Sequence, residues 1–454
     1  MVDDIQGTRQ PVSFTEALNA QKTRPIQWLI VATCFLVLVA DGVDLQLLGV
    51  VAPVVTEAFG VTRSTFGIAM MAALVGFGLG GWGGGWLGDR IGRRWTLVIA
   101  ALFFGLGTVA ASTSGDVWSM AFWRVIGGLG FGGAYANALA MAGEWLPDRW
   151  RPVAVSTLAV GTPIGGTIVG WLGPDLVADH GWEGTFVRIG LATLLVIVPI
   201  LLILRDSPSF LMALGRREDA RRNARLVLDD DVELTAERHE TDSLDGPQIG
   251  VLHRSNMRLN IGIAIAFAAA TLVAYGILSW GTTFLAAKNF TLEEGGEAVA
   301  LAGLSSMAGS ILVGIAMRRF GSKLVMGVLS AMVFVWMLTI GYTLEHLPAQ
   351  PVEATKTQVI WLVGMSGFAF SAIIAGMYVM MTYGYPQSCR SAGIGFGIFM
   401  SRVGAISAAG LGGALLDFGG ESTWPFFGTL AAASLLVGVA AFVVDRHVPP
   451  ASGS

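Results

Sequence analysis

Twelve apolar runs follow one another along this chain, at about 27–53, 64–87, 95–114, 117–144, 152–178, 184–204, 257–287, 295–316, 323–344, 357–383, 391–416 and 423–445. A helix of about 20 apolar residues crosses the hydrocarbon core of a bilayer, so each run reads as one span. The runs at 152–178 and 184–204 are the least cleanly separated. In lipid every backbone polar group must be satisfied within the protein, which favours helices over open sheets. The expected fold is therefore an all-α membrane protein, with twelve transmembrane helices in two six-helix halves. Charge content agrees. Only 13% of residues are charged and 54% are hydrophobic, whereas a soluble domain carries about 25% charged residues. An ordinary soluble enzyme and a disordered chain are both excluded by this balance.

The polar stretches divide the chain. Residues 1–26 are mixed in charge and do not resemble a cleavable signal peptide, so they read as a cytoplasmic N-terminal segment. Two halves, 27–204 and 257–445, flank a partly helical cytoplasmic linker at 205–256 that contains RREDARRNAR and ERHETDSLD, and 446–454 form a cytoplasmic tail. With the N-terminus inside, 22 of the 28 Lys and Arg residues fall in inside segments. Four (Arg63, Arg188, Lys288 and Lys356) fall outside. Positive charge is retained on the cytoplasmic side, so both termini are expected there, in a multi-pass protein of the inner membrane. Arg124 and Arg402 remain inside spans.

Other chemistries find little support. Cys34 and Cys389 form no CxxC, the five histidines fall in loops, and no basic tract of the kind that binds nucleic acid is present. No nucleophile elbow, nucleotide-binding loop or metal cluster is visible. The expectation is a monomer that is not an enzyme, has no cofactor or metal, and has the lipid bilayer and a small molecule as partners.

Between the second and third runs stands Gly85-Trp-Leu-Gly-Asp89-Arg90-Ile-Gly92-Arg93-Arg94. About half a chain later, between the eighth and ninth, stands Gly314-Ile-Ala-Met-Arg318-Arg319-Phe-Gly321-Ser322-Lys323. Matching loops at this distance are the mark of two parallel six-helix repeats. The G-x-x-x-D-R-x-G-R-R pattern resembles the signature loop of the major facilitator superfamily, and the likeness extends over essentially the whole chain. It implies that Gly85, Asp89, Arg90, Arg93 and Arg94, with Glu144 and Arg390 at neighbouring helix ends, latch an inner gate. A carboxylate near helix N-termini and guanidinium groups suits that role.

Charges inside the spans carry the rest. Asp41 and Asp44 lie near mid-membrane in the first run, within Asp41-Gly42-Val43-Asp44. Each costs at least about 2.5–3.5 kcal/mol to insert, and a spacing of three places them on one helix face. Two such acids in a water-accessible cavity suit a proton carrier. This D-G-x-D pattern resembles the aromatic acid:proton symporters, a group within the superfamily, and both acids are implied in proton coupling. Arg124 heads an R-x-x-x-G-x-G-x-G pattern that resembles a superfamily motif linked to coupling. It could pair with a first-helix Asp or lie too far out. Asn137 matches the group's Asn and is expected as a cavity donor, with Tyr135 as a further candidate. Tyr385-Pro386 through Arg390 to Arg402 resembles the group's segment on the eleventh helix. Arg402 needs an anion, either a carboxylate of the chain or that of the substrate. Trp280, in a Ser-Trp segment, and Tyr378 are candidates to meet an aromatic ring.

The implied function is proton-coupled uptake of an aromatic carboxylate, such as a hydroxybenzoate or benzoate, by alternating access. Symport of another organic acid and drug:proton antiport are alternatives on the same fold. A membrane receptor for aromatic acids is an alternative of a different class, which would bind its ligand without accumulating it.

Overall fold

The structure is a computed structural model that describes residues 12–228, 234–235, 250–386 and 389–450. Residues 1–11, most of 229–249 and 451–454 lie outside the description. The outermost part of the expected N-terminal segment, the middle of the expected linker with His239, and the end of the tail are among them.

The long helices are α2 (Pro25–Phe59), α3 (Arg63–Ile91), α4 (Arg93–Ala111), α5 (Val117–Trp145), α11 (Met257–Ala286), α12 (Leu292–Phe320), α13 (Ser322–Glu345), α14 (Glu353–Gly384), α15 (Arg390–Gly419) and α16 (Trp424–Val443). Between α5 and α11 runs a stretch of α6 (Arg151–Ala159), α7 (Gly161–Leu195) and α8 (Ile197–Ile203). This stretch is 53 residues long. At 1.5 Å per residue it would extend about 80 Å, far beyond a hydrocarbon core of about 30 Å. It breaks at Gly181, whose φ of 69° and ψ of 173° are not helical. Among the described residues, eleven continuous apolar stretches of spanning length thus make twelve crossings. The polar stretch that divides the fifth and sixth spans is short, Asp179 to Glu183, and the chain turns within it at a single glycine in a conformation that L side chains avoid.

The first crossing also runs longer than expected, continuing past Pro53 to a left-handed cap at Gly60. A proline within a helix frees the carbonyl four residues back. Here that is Gly49 O, which accepts a hydrogen bond from Thr282 Oγ1 of α11 at 2.6 Å. The lost bond is replaced from a neighbouring helix, so the helix need not end.

Helices α2–α8 pack with one another, with α3 along α5, α2 along α7 and α4 along both α5 and α7. The α11–α16 group repeats the arrangement, with α12 along α14, α11 along α15 and α13 along α16. The repeat extends to backbone detail. Gly92 and Gly321, at matching places, have φ of 98° and 81° and each ends one helix and starts the next. We call the face bearing these two turns the motif face and the other the far face. On the motif face, α1 (Phe14–Ala20) carries a capping box of Ser13 and Glu16 and sets Phe14 edge-on to Trp145. Within the expected linker, α9 (Pro208–Ala213) and α10 (Arg217–Ala224) are helical. Its short strand β2 (Leu234–Thr235) pairs in parallel with β1 (Val12–Ser13).

The two groups of helices meet along α3–α15, α7–α12 and α2–α11. Small residues allow the close approach: Gly170 lies against Gly296, Gly303 against Pro163 and Thr167, and Gly67 against Ala409 and Gly410. Three hydrogen bonds join described residues of the two halves. They are Ser64 N to Asp417 Oδ2 at 2.7 Å, Thr282 Oγ1 to Gly49 O at 2.6 Å, and Thr167 Oγ1 to Ala300 O at 3.1 Å. All three lie between the far face and the middle of the helices. Among the described residues no hydrogen bond or ion pair joins the halves nearer the motif face. The hydrogen bonds that join the halves thus lie on the far side of the seam.

Candidate functional site

The charges buried within the spans form two groups of different character. The first is an ion pair in which both carboxylate oxygens are satisfied and Arg124 Nε alone lacks a partner. Arg124 of α5 is 1% exposed and donates from Nη1 to Asp44 Oδ2 at 2.8 Å. Its Nη2 donates to the Asp44 backbone carbonyl at 3.1 Å. The other Asp44 carboxylate oxygen accepts a hydrogen bond from Thr108 Oγ1 of α4. A buried ion pair is tolerable only when further hydrogen bonds satisfy its polar atoms, and both Asp44 oxygens are satisfied. Of the two positions open to Arg124, the structure takes the paired one.

The second group is incomplete. Asp41 is fully buried, yet its Oδ1 has no partner and its Oδ2 accepts only a 3.5 Å contact from Thr162 Oγ1 of α7. Asp41 and Asp44 therefore face different neighbours, although a spacing of three suggested one face. Three residues turn a helix by about 300°, which leaves about 60° between the side chains. That is enough to aim one at α7 and the other at α4 and α5. Arg402 of α15 makes no ion pair among the described residues. Its guanidinium lies 3.9 Å from the centre of the Phe77 ring, and Nη1 donates to Tyr275 Oη at 3.4 Å. Asp41, Tyr135, Tyr275, Tyr378 and Arg402 are near enough to act on one another electrostatically. Tyr135 packs against Phe77 and Tyr378 against Phe267. Tyr378 retains 36% exposure and interacts with Arg402 and Tyr275. An acid, a cation and several aromatic rings thus converge from α2, α3, α5, α11, α14 and α15.

On the motif face, Arg93 is the hub. It donates to Asp89 Oδ1 at 2.6 Å, Glu144 Oε1 at 3.1 Å, Asn137 Oδ1 at 3.3 Å and Gly85 O at 3.5 Å. Arg90 lies over the Trp86 ring at 4.0 Å. Arg94 donates to Leu201 O at 2.7 Å, and its backbone N–H donates to Asp206 Oδ1 at 3.2 Å. Burial holds the Asp206 carboxyl above the ordinary carboxylate range, against the pull of that N–H. Arg390 starts α15 and donates from Nε to Tyr385 O at 3.4 Å, apart from the Arg93 cluster.

Two expected binding residues lie elsewhere. Asn137 does not face the central space. Its amide donates to Gly84 O and Gly133 O, both at 2.8 Å, and its oxygen accepts from Arg93. It staples α3 to α5 beneath the motif loop. Trp280 is fully buried, donates to Ala408 O at 3.2 Å and packs against Gly412 and Gly413. It fills the α11–α15 contact on the far side. A sequence pattern tells that a polar or aromatic residue lies in a helix, but not which neighbour it meets. Phe77, Thr108 and Thr162 carried no signal for the same reason. Tyr275 stood in the Ser-Trp segment without an assigned role. No group of His, Cys, Asp and Glu that could hold a metal occurs among the described residues.

The chain is similar to the 4-hydroxybenzoate transporter of Pseudomonas aeruginosa, at 29% identity over 94% of this chain and 94% of that one. It is 26% identical to the gallate transporter of Pseudomonas putida, over 90% of each. Among solved structures it resembles the partially occluded inward-open xylose transporter of E. coli, with a TM-score of 0.71 and 16% identity over 93% of this chain and 99% of that one. The Major Facilitator Superfamily model matches residues 34–350. With twelve crossings in two repeated halves and the paired turns at Gly92 and Gly321, the chain belongs to the Major Facilitator Superfamily.

Proposed function

We propose that this membrane carrier, which is not an enzyme, takes up an aromatic carboxylate together with protons by alternating access. The observation that carries the reading is Arg402, a half-buried guanidinium without a carboxylate partner, set among Phe77, Tyr135, Tyr275 and Tyr378. A guanidinium grips a carboxylate bidentately, and the surrounding rings offer stacking surface for an aromatic body. The relatives named for 4-hydroxybenzoate and gallate carry substrates of this chemistry.

The proton belongs to Asp41. A deeply buried carboxyl with an unpartnered oxygen is costly when ionised. Protonation relieves that cost, and the nearby Arg402 charge ties it to the occupancy of the anion site. Substrate binds at Arg402, Asp41 takes a proton, the halves rock about their small-residue seam, and both leave on the motif face, which faces the cytoplasm. The Arg93 cluster, with Asp89 and Glu144, steadies the motif-face ends of α3, α4 and α5 as the gate closes. One proton moving with one monoanion transfers no net charge, so only a second proton would draw on the membrane potential, worth about 2.3 kcal/mol per charge per 100 mV. The protein works as a monomer in the inner membrane, with both termini inside.

Proteoliposomes under an inward proton gradient test this. Labelled 4-hydroxybenzoate, benzoate or gallate should accumulate and xylose should not. Binding without accumulation would favour a receptor, and no effect of any aromatic acid would overturn the substrate class. Asp41→Asn should abolish accumulation while leaving counterflow exchange within about threefold. Unchanged accumulation would remove Asp41 from coupling.

A further inference from the structure

Arg402 sits on the motif side of the hydrogen bonds that join the halves, and an aromatic ring from the opposite half lies against it. Its guanidinium carbon lies 3.9 Å from the centre of the Phe77 ring, well within the range of cation–π attraction. Other contacts of α3 with α15 lie farther toward the far face: Ser64 with Asp417, Arg63 with Gly413, and Gly67 and Met71 with Gly410. Among these, the Phe77–Arg402 contact is the one nearest the motif face. The orientation of the guanidinium is informative. Nη1 donates to Tyr275 at 3.4 Å. Nε is buried with no hydrogen-bond partner, and no hydrogen bond from Nη2 occurs among the described residues. Nε and Nη2 form one edge of the guanidinium fork, the kind of edge that grips a carboxylate through two parallel hydrogen bonds. The ring contact and the Tyr275 bond leave that edge free.

Resting on the carboxylate-transport reading above, we propose that Phe77 is a positioning residue that holds Arg402 with its Nε–Nη2 edge presented to the substrate carboxylate. The ring belongs to the half opposite the arginine. The anion site is therefore assembled only when α3 and α15 are in register, and substrate affinity depends on the halves being joined at this point. A leucine or methionine would fill similar space without a π face to attract the cation. A tyrosine would keep the face.

The test is 4-hydroxybenzoate binding to the purified full-length protein, measured up to millimolar ligand, for Phe77→Leu, Phe77→Met, Phe77→Tyr, Arg402→Gln and the Phe77→Leu/Arg402→Gln double variant. Phe77→Leu and Phe77→Met should each weaken binding about tenfold, and Phe77→Tyr should stay within about threefold of the parent. In the Arg402→Gln background Phe77→Leu should add nothing, because a residue that acts through Arg402 has nothing left to position. The proposal is overturned if the apolar variants bind as tightly as the parent. It is equally overturned if Phe77→Tyr is as weak as Phe77→Leu, or if the full penalty persists without Arg402. Unchanged binding in Arg402→Gln alone would instead sink the carboxylate reading on which the proposal rests.

Discussion

Asp41 and Asp44 stand three residues apart on α2, both fully buried, yet their surroundings are opposite. Asp44 meets a guanidinium, and both its oxygens are satisfied. Asp41 meets one long hydroxyl contact and keeps an oxygen without a partner. A buried pair of this kind holds three helices in place, since losing either charge strands the other. An unsatisfied carboxyl gives up little structure when it is neutralised. On the proposed mechanism, the two acids of one motif divide into a brace and a switch.

Substitution should separate the two roles, most strongly at the brace. Asp44→Asn or Arg124→Gln strands a buried charge and should cost about 3–5 kcal/mol, read as a large loss of thermal stability in detergent. Asp41→Asn should lie within about 1 kcal/mol of the parent in the same assay, since no strong partner is lost. Equal destabilisation by Asp41→Asn and Asp44→Asn would collapse the distinction. A smaller effect is expected at the far-side closure. Thr282→Val leaves Gly49 O, freed by Pro53, without its donor and should cost about 1–2 kcal/mol. It should also loosen the far side, measured as faster labelling of a cysteine placed at Ser279.

The smallest effect concerns a charge outside the membrane. Asp116 caps α5, and the backbone N–H groups of Ser119 and Trp118 hold its carboxyl below the ordinary value of 3.8. The folded value lies below the unfolded one. The contribution to stability is therefore present above the unfolded value and lost as pH falls through the folded one. Asp116→Asn should flatten the acid limb of a stability–pH curve below about pH 4 and leave neutral pH almost unchanged. An unaltered acid limb would show that the cap has no such role.

Much of this architecture was legible before any coordinates. The spans follow from runs of about 20 apolar residues, and the repeat of Gly92 at Gly321 shows in the turns that begin α4 and α13. The motif loop also forms as expected, with Arg93 bonded to both Asp89 and Glu144. The Asp89 contact is local, whereas Glu144 lies at the end of α5, 51 residues on, and reaches Arg93 through helix packing. Asn137 and Trp280 were misplaced because nothing in a helical pattern tells which neighbour a side chain faces. The turn at Gly181 falls in the short gap expected between the runs at 152–178 and 184–204, beside Asp179, His180 and Glu183.

The amino-acid sequence by itself determined that the chain is a twelve-crossing helical membrane protein, and that Asp41, Asp44, Arg124 and Arg402 are its costly buried charges. Hydropathy and insertion cost act on each segment independently, so they can be read along the chain. Only the tertiary structure decided that Arg124 belongs to Asp44 and that Arg402 rests on Phe77. It also decided on which side of the seam the halves are hydrogen-bonded. Those outcomes depend on how helices turn about their own axes when they pack, and contacts between residues 80 or 325 positions apart leave no local trace.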